Sequence, residues 1–286
     1  MGAVTRSTLI EQISAIIPPM TPTNDPGFTE SLFDLSGKVA IVTGSTRGLG
    51  RAIADAYLTA GASVMISSED AQACAAALAR YRSAGCQAVE ARQCDVAIED
   101  EQRALVGATV ARFGGLDILV ANAGITDDAV GSLATPRARY EQIMRVNLHS
   151  IVQLCALAVP ALKARGGGSI ILMSSLAALR GNKSIGPYAL TKAALAQLAR
   201  NLAVEFGPDN IRANAIAPGF IRTDLSASLM ANEAFMARRM QNTPLRRAGE
   251  PSEIAGPAVF LASKGGAFVT GQTLVVDGGT LVTDGN

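Results

Sequence analysis

The sequence lacks tryptophan, has one histidine, and contains four cysteines that never form a Cys-x-x-Cys pattern. A zinc centre or a histidine-dependent triad would have to rest on His149 alone, and a lone histidine is more often an ordinary helix residue. The cysteines lie in apolar or ordinary contexts, which favours reduced packing residues over disulfides or metal ligands. We therefore predict no metal site and a cytoplasmic protein. The cysteines are Cys74, Cys86, Cys94 and Cys155.

Long runs of one charge and long apolar runs are also missing. Lysine and arginine number 25 against 24 aspartates and glutamates, so the formal net charge is +1, and no basic run indicates a nucleic-acid partner. No apolar run approaches the roughly 20 residues that span a bilayer, and the N-terminus has no signal-peptide layout. We expect neither nucleic-acid nor membrane partners.

The length and the hydrophobic content of the chain favour a large folded domain. With 286 residues, of which 49% are hydrophobic, the chain can bury a sizeable core. Residues 1–33 differ from the rest, because 5–17 carry apolar side chains at helical spacing and Pro18-Pro19 then ends that pattern. We predict an N-terminal extension with a short amphipathic helix and a linker over 1–33, and one folded domain over 34–286.

Apolar runs alternate with helical patterns along residues 34–286. A continuous apolar run such as 38–43 is typical of a strand buried on both faces of a parallel sheet. Further strands are predicted over 63–67, 88–93, 116–121, 169–174 and 211–216, and helices over 51–60, 70–82, 99–113, 137–164 and 188–206. About seven strands joined to helices by short turns predict one doubly wound parallel α/β sheet, with no internal domain boundary.

A glycine-rich turn follows the first predicted strand and precedes a helical pattern. It reads Thr43-Gly44-Ser45-Thr46-Arg47-Gly48-Leu49-Gly50, and its glycines let backbone N–H groups approach a phosphate at the positive end of the helix. The Gly-x-x-x-Gly-x-Gly spacing departs from the common Gly-x-Gly-x-x-Gly fingerprint, and a tight turn that needs glycine is the alternative. The order of strand, glycines and helix favours phosphate binding.

The residues after the second and third strands bear on cofactor choice. Where a dinucleotide fold places an acid that binds the adenosine ribose, about 20 residues after the glycines, this chain has the neutral Ser68. Ser68 permits a 2′-phosphate, with which Arg47 is suited to pair, whereas the adjacent Glu69 opposes one. The pattern favours NADP(H), with NAD(H) as the alternative. Asp95 follows the third strand, where its carboxylate is placed to accept from an adenine amino group.

Tyr188 and Lys192 are four residues apart on a predicted helix, so both side chains leave the same face. An ammonium beside a phenol favours the phenolate, which brings a group with an ordinary pKa of about 10 towards proton transfer at neutral pH. For an isolated pair, a tyrosine packed by its ring and a solvated lysine is the commoner explanation. The other motifs must therefore decide between the two.

Taken together, the motifs resemble those of the short-chain dehydrogenase/reductase family. They occur in the family's order: Thr43-Gly44-x-x-x-Gly48-x-Gly50, Asn122-Ala123-Gly124, Asn147, Ser175, Tyr188-x-x-x-Lys192, Pro218-Gly219 and Val276-Asp277-Gly278-Gly279. The likeness covers about 35–279. It implies a Rossmann-type fold and hydride transfer between a nicotinamide cofactor and a carbonyl or secondary alcohol substrate.

The resemblance also implies a role for each matching residue. Tyr188 is expected to act as general acid in reduction and as base in oxidation, Lys192 to lower the tyrosine pKa and hold the nicotinamide ribose, and Ser175 to bind the substrate oxygen. Asn147 is expected to anchor a water chain to the lysine. The expected cofactor-binding residues are Gly44, Ser45, Arg47, Gly48, Leu49, Gly50, Ser68, Asp95, Val96, Asn122, Ala123, Gly124, Tyr188, Lys192, Pro218, Gly219, Ile221 and Thr223.

Residues 222–242 correspond to the family's mobile substrate lid. Its apolar side chains are expected to line or cover a chiefly apolar pocket, with packing between helices as the alternative. Arg238 and Arg239 are suited to an anionic substrate or carrier group, and a solvated helix face explains them as well. The apolar side chains are Leu225, Leu229, Met230, Phe235, Met236 and Met240.

Two functions remain at this point. One is an active oxidoreductase whose substrate is a 3-oxoacyl thioester, ketone, sugar or steroid, and the other is a catalytically silent dinucleotide-binding scaffold or redox sensor. A silent protein would be expected to lack one of the four catalytic residues, and all four are present. The long helices over 137–164 and 188–206 resemble those that pair between subunits in the family, which implies a homo-oligomer, either a dimer or a homotetramer.

Overall fold

Two stretches of the chain, residues 27–126 and 131–283, are described by the computed structural model, and the helix predicted over 5–17 lies outside them. The chain divides into two units, Met1–Leu32 and Phe33–Asn286. The described residues of the first unit start at Gly27, directly before the six-residue helix α1 (Phe28–Phe33).

A seven-stranded sheet forms the centre of the second unit. Its order is β3-β2-β1-β4-β5-β6-β7, with every neighbouring pair parallel. The order reverses between β1 and β4, which is the topological switch point of a doubly wound sheet. The predicted fold class is therefore confirmed. The strands are β1 (Val39–Val42), β2 (Ser63–Ser68), β3 (Val89–Gln93), β4 (Ile118–Ala121), β5 (Gly168–Met173), β6 (Ile211–Pro218) and β7 (Thr273–Val276).

Helices cover both faces of this sheet. Helices α2 and α10 pack together on one face, while α4, α6 and α7 contribute to the core on the other. The helices that follow α1 are α2 (Gly48–Thr59), α3 (Ala71–Ser83), α4 (Glu99–Phe113), α5 (Arg137–Met144), α6 (Ser150–Ala164), α7 (Gly186–Phe206), α8 (Ala227–Met230), α9 (Glu233–Gln241) and α10 (Ser252–Ala262).

The alternation of side chains along β1 explains why its sequence is apolar throughout. Successive strand side chains point to opposite faces of a sheet. Ile41 packs in one core cluster with Leu154 of α6, whereas Val42 packs in the other with Ile53 of α2 and Ile254 of α10. Both faces of the strand are closed to solvent, so a polar residue has no exposed side to occupy.

The helix predicted over 137–164 contains an irregular turn. Helices α5 and α6 are joined by a π-helical turn, Arg145–His149, in which the Ser150 N–H reaches back to the Arg145 carbonyl. This turn accommodates one residue more than an α-helical turn, and such turns often lie at functional sites. Apolar spacing alone did not reveal it, because the pattern on each side of the turn is helical.

By length and composition alone, the helical stretch over 137–164 would allow a membrane span, and no other helix of the described residues does so. Its mean hydropathy is 1.3 over the most apolar window, of which 44% is buried inside the protein. The apolar face of α6, including Ile151, Leu154 and Ala158, belongs to the core cluster on one face of the sheet. That packing accounts for part of the apolar character of this stretch, and Val152 on α6 is 45% exposed.

Asp117 fixes the amino ends of the central strands. Its carboxylate is 3% exposed and accepts hydrogen bonds from the Val39 N–H at 3.0 Å, from the Arg165 guanidinium at 3.0 Å and from Lys38 at 3.3 Å. Three donors stabilise a buried carboxylate that would otherwise be costly to desolvate. These bonds join the start of β1, the start of β4 and the end of α6. They lie at the amino ends of the strands, opposite the carboxyl ends that carry the predicted site.

Candidate active site

Two turns meet at the switch point, where β1 and β4 end side by side. The Thr43 hydroxyl accepts the backbone N–H groups of Asn122 and Ala123, both at 3.0 Å. In return, the Asn122 amide donates to the carbonyls of Thr43 at 2.9 Å and Gly44 at 3.1 Å. The side-chain donors of Asn122 are therefore used to join the glycine turn to the Asn122-Ala123-Gly124 turn.

The glycine turn has the geometry of an anion site. Gly44 and Gly48 adopt positive φ angles of 61° and 56°, and a Cβ on Gly50 would lie 2.3 Å from the Gly44 carbonyl oxygen. Helix α2 starts at Gly48 with no side-chain cap from Arg47, whereas Asp70 caps α3 through two backbone N–H groups. Among the residues that the structure describes, no side chain caps the first N–H groups of α2, and an uncapped helix start favours a phosphate.

Ser45, a predicted cofactor contact, uses its hydroxyl inside the fold. It is fully buried, donates to the Val42 carbonyl at 2.6 Å and accepts from the Ser67 N–H at 3.0 Å, which ties the end of β1 to the end of β2. The next hydroxyl of the turn belongs to Thr46, which is half-buried.

The predicted adenosine contacts lie at the ends of β2 and β3. The Ser68 hydroxyl donates to the Glu69 carboxylate at 3.1 Å, and the Asp95 carboxylate accepts the Ala97 N–H at 2.9 Å, beside the buried Val96. In the strand order, β2 is three places from β5, which is about 14 Å at normal strand spacing. The structure therefore separates these residues from the tyrosine and lysine and places both groups along one edge of the sheet.

Lys192 is buried beside Tyr188. Its Nζ atom lies 5.4 Å from the centre of the Tyr188 ring and donates to the carbonyl of Met173, the last residue of β5, at 2.8 Å. The lysine is 3% exposed, and this burial lowers the pKa of its ammonium from 10.5 to about 8. Ser174 holds the same turn of α7 by donating to the Lys192 carbonyl at 2.7 Å.

Asn147 faces the same space from the π-helical turn. Its side chain exchanges two hydrogen bonds with the backbone of Ile125, at 2.8 and 2.7 Å, and lies 3.4 Å from the Thr191 hydroxyl. A Cβ on Gly124 would lie 3.2 Å from Asn147 Oδ1 and 3.4 Å from Lys192 Nζ. Glycine at this position keeps a small space open between the amide and the ammonium.

Ser175 begins a short 3₁₀ turn, Leu176–Ala178, directly after β5. Its hydroxyl oxygen accepts the Ala177 N–H at 3.1 Å. A hydroxyl has one proton to donate and two lone pairs, so this bond leaves the proton available. The side chain is half-buried and stands at the carboxyl end of the strand that also positions Lys192.

The segment after Pro218 meets the glycine turn. The Gly219 N–H donates to the carbonyl at the end of β7 at 2.9 Å, and a Cβ on Gly219 would lie 2.6 Å from the Asp277 Cα atom. A Cβ on Gly48 would lie 3.8 Å from the Thr223 methyl group. Ile221 is 7% exposed. The structure thus brings the predicted Gly219 to Thr223 contacts next to the start of α2.

The predicted lid segment consists of short helical pieces beside a cavity. Residues 222–242 form a 3₁₀ turn (Asp224–Ser226) followed by α8 and α9, and Leu225 is 63% exposed. A cavity of about 400 Å³ lies beside α9, and among the six predicted apolar side chains only Phe235 lines it. Arg180, Arg238 and Arg239 also line it. Sequence reasoning missed Arg180, because its place in a loop gave no reason to group it with the lid.

The described residues contain neither a group of potential metal ligands nor a disulfide. Across 27–126 and 131–283, no three histidine, cysteine, aspartate or glutamate side chains are grouped as metal ligands. All four cysteines are free, and three of them are buried. The polar chemistry of the site therefore comes from hydroxyl, amide, ammonium and backbone groups.

Known proteins share this fold and most of this chain. A family model described as enoyl-(acyl carrier protein) reductase matches residues 44–280. Dehydrogenase/reductase SDR family member 4 from Bos taurus is 38% identical over 247 residues, which cover 86% of this chain and 88% of that protein.

Two solved structures resemble most of this chain. A gluconate 5-dehydrogenase from Burkholderia cenocepacia, in complex with NADP and tartrate, has a TM-score of 0.85 and 35% identity, and the match covers 89% of this chain and 99% of that one. A 7α-hydroxysteroid dehydrogenase in complex with NADH and 7-oxo glycochenodeoxycholic acid has a TM-score of 0.83 and 37% identity, with 88% and 96% covered.

The fold and the matches define a nicotinamide-dependent oxidoreductase of the Rossmann type. The chain belongs to the short-chain dehydrogenase/reductase family. The predicted class of enzyme, which transfers hydride between a nicotinamide cofactor and a carbonyl or alcohol carbon, is confirmed.

The lowered pKa of Lys192 predicts how stability changes with pH. The unfolded chain keeps the lysine proton up to pH 10.5, while the folded chain releases it near pH 8, so folding is favoured increasingly as pH rises between these values. From pH 7 to 10, the free energy of unfolding of the wild type should gain about 2 to 3 kcal/mol relative to Lys192→Met. Urea denaturation at both pH values measures this difference. Lys163→Met, at an exposed lysine, should show no comparable change, and parallel profiles for the wild type and Lys192→Met would contradict the expectation.

Proposed function

We propose that Asn147, Ser175, Tyr188 and Lys192 form the catalytic centre of this oxidoreductase. The observation that carries the proposal is the buried ammonium of Lys192, held 5.4 Å from the Tyr188 ring at the carboxyl end of β5. A buried cation is costly unless it is paired or has a task. Stabilising the charge that Tyr188 acquires on proton transfer is such a task.

Each residue has a part in the reaction. In reduction, the Tyr188 O–H bond breaks and its proton passes to the substrate oxygen, while Lys192 stabilises the phenolate that remains. Ser175 donates its free hydroxyl proton to the same oxygen and so stabilises the charge that develops there. Oxidation runs these proton steps in reverse. The space at Gly124 between Asn147 and Lys192 suits a water molecule that resupplies the proton.

The nicotinamide cofactor supplies or accepts the hydride when bound. We propose that the uncapped start of α2 and the glycine turn, with Arg47, Gly48, Leu49 and Gly50, hold its pyrophosphate. The ends of β2 and β3 would bind the adenosine half, and the Asn122-Ala123-Gly124 turn with residues 218–223 would bind the nicotinamide half. The strand spacing between these regions supports an extended dinucleotide.

Removing the Tyr188 hydroxyl separates catalysis from binding. Tyr188→Phe should lower kcat by about 10²- to 10⁴-fold, because the proton donor is lost, yet keep cofactor affinity measured by nicotinamide fluorescence. Tyr140→Phe, on α5, is the matched control and should retain turnover. Turnover of Tyr188→Phe within a few-fold of wild type on a ketone panel would refute the proton-donor role. Binding without turnover by the wild type would favour the silent scaffold instead.

We propose NADP(H) as the preferred cofactor, with NAD(H) as the alternative. Arg47 is exposed beside the glycine turn and forms no ion pair within the described residues, so it is available for a 2′-phosphate. The Glu69 carboxylate, held by Ser68 at the end of β2, opposes that phosphate. The related structures include one with NADP and one with NADH.

Substituting the two opposing charges tests this preference. Arg47→Ala should raise the KM for NADPH by about tenfold and change that for NADH less, since only NADPH carries the phosphate that pairs with the guanidinium. Glu69→Gln should shift the ratio of the two KM values the other way. Initial rates with both cofactors measure the ratio. Equal effects of Arg47→Ala on NADPH and NADH would remove the argument.

We propose a homo-oligomer, either a dimer or a tetramer, assembled through α6 and α7. Val204 and Leu190 of α7 are 81% and 55% exposed, and Val152 of α6 is 45% exposed, which leaves apolar surface for a second copy. Light scattering should give at least twice the 29.4 kDa of one chain, and Val204→Glu should lower that mass. Val110→Glu on α4 is the control. A wild-type mass of one chain would contradict the assembly.

We also propose a cellular location and a class of substrate. We propose a cytoplasmic protein, supported by four free cysteines. The substrate would be a small carbonyl or alcohol compound, and ketone, sugar, steroid and 3-oxoacyl thioester types all suit the catalytic residues.

A further inference from the structure

The cavity of about 400 Å³ beside the lid helix α9 is strongly cationic. Arg180, Arg238 and Arg239 line it, together with the polar residues Asn242 and Thr280. We call this cavity the arginine pocket. Like charges brought together in one cavity repel, so such a cluster is stabilised when an anion occupies it.

Within residues 27–126 and 131–283, no carboxylate pairs directly with the guanidinium groups of these three arginines. Asp277 acts on Arg239 from a distance, but its own oxygens accept the N–H groups of Gly279 at 2.8 Å and Leu281 at 2.6 Å. The carboxylate is therefore committed to the turn that follows β7.

Arg239 shows the lack of a partner most directly. Its Nε atom is buried and makes no hydrogen bond within the described residues. Burial and the neighbouring Arg180 lower the pKa of its guanidinium to about 10, against an opposing effect of Asp277. A buried donor without an acceptor is rare in folded proteins, and an oxyanion in the pocket would supply the acceptor.

Aromatic packing holds Arg239 in place. Its guanidinium carbon lies 5.5 Å from the centre of the Phe220 ring, and Phe220 packs against Phe235 of α9 with ring centres 5.6 Å apart. An arginine fixed over a ring loses less freedom when it binds a ligand, and its planar fork matches the geometry of a carboxylate or phosphate. The pocket is thus prepared for an oxyanion.

The arginine pocket is lined by segments that follow the carboxyl ends of β5, β6 and β7, and the proposed catalytic centre also lies at the carboxyl end of β5. Arg180 follows Ser175 by five residues, so their Cα atoms are at most about 17 Å apart, and the other two arginines belong to the lid. The ends of β2 and β3, proposed for adenosine, lie on the other side of the switch point. The 2′-phosphate of a cofactor bound there would not reach this cavity.

We propose that the arginine pocket binds a carboxylate or phosphate at the far end of the substrate whose carbonyl or alcohol group faces Ser175 and Tyr188. The inference rests on the proposed function and narrows its substrate class to oxo or hydroxy compounds with a terminal oxyanion. Neutral ketones and alcohols would lack this anchor. Sugar acids, keto acids and phosphate esters all possess it.

Paired substrates test the pocket. Aliphatic keto acids and their methyl esters, with the carbonyl four to ten carbons from the carboxyl group, are compared by kcat/KM. The wild type should prefer each acid that fits by at least about tenfold, because charge-assisted hydrogen bonds to arginine are lost in the ester. Arg180→Gln and Arg238→Gln should each reduce this acid-to-ester ratio, and the double variant should bring it close to one. Arg103→Gln, at an exposed arginine of α4, should leave the ratio as in the wild type.

Two results would refute anion binding at the arginine pocket: an acid-to-ester ratio near one in the wild type, or a ratio that the arginine variants do not change. In either case, turnover of the esters would still show an active oxidoreductase. Turnover of no ketone with either cofactor would instead overturn the proposed function. A measurement without turnover then decides the pocket: the rise in Tm with inorganic phosphate over sodium chloride at equal ionic strength, with saturating NADPH present. The wild type and Arg103→Gln should show a rise that the double variant has lost. The same rise in all three proteins would refute anion binding at this pocket.

Discussion

The hydrogen bonds between Thr43 and Asn122 are the interaction on which the rest of the site depends. At the switch point, the connections from β1 and β4 diverge to opposite faces of the sheet, and a crevice opens between two adjacent strand ends. A hydroxyl that accepts two N–H groups and an amide that donates to two carbonyls hold that crevice at a fixed width. Asp117 fixes the opposite ends of the same strands. The crevice is therefore rigid where a cofactor would need a preformed cradle.

A continuous set of contacts leads from this crevice to the lysine. The turn that Asn122 begins continues to Gly124 and Ile125, the backbone of Ile125 is paired with the Asn147 amide, and Asn147 contacts Thr191, the neighbour of Lys192. Lys192 closes the path on the last residue of β5. The path combines short stretches of chain with hydrogen bonds between buried or half-buried groups. Displacement of one hydrogen-bonded member leaves another polar group unpaired, which resists loosening of the site.

Much of the fold could be read from the sequence, since strands buried on both faces leave continuous apolar runs and glycine marks backbone that a Cβ would block, as at Gly50. The order of motifs predicted that Ser175, Tyr188 and Lys192 belong to one site, and the structure places the Lys192 ammonium 5.4 Å from the centre of the Tyr188 ring. The partners of short polar side chains were not predictable, because Ser45 turns its hydroxyl to neighbouring strand ends that only the folded sheet brings close. The arginine pocket was missed for a related reason. Arg180 is remote from the lid in sequence, and only the folded chain brings its charge close to that of Arg239.

The π-helical turn at Arg145–His149 places the two halves of a long helix out of phase. One extra residue corresponds to a rotation of about 100° around the helix axis, so the face of α6 that packs on the sheet does not continue the face of α5. Asn147 hydrogen-bonds to Ile125, whereas Ile151 and Leu154 pack in the core. The turn therefore lets each half of the helix present the face that its own contacts require. The length of this helix is consequently not adjustable. Substitutions on either side of the turn are compatible with this geometry. An insertion or deletion of one residue would instead move either the Asn147 amide away from Lys192 or α6 off the sheet.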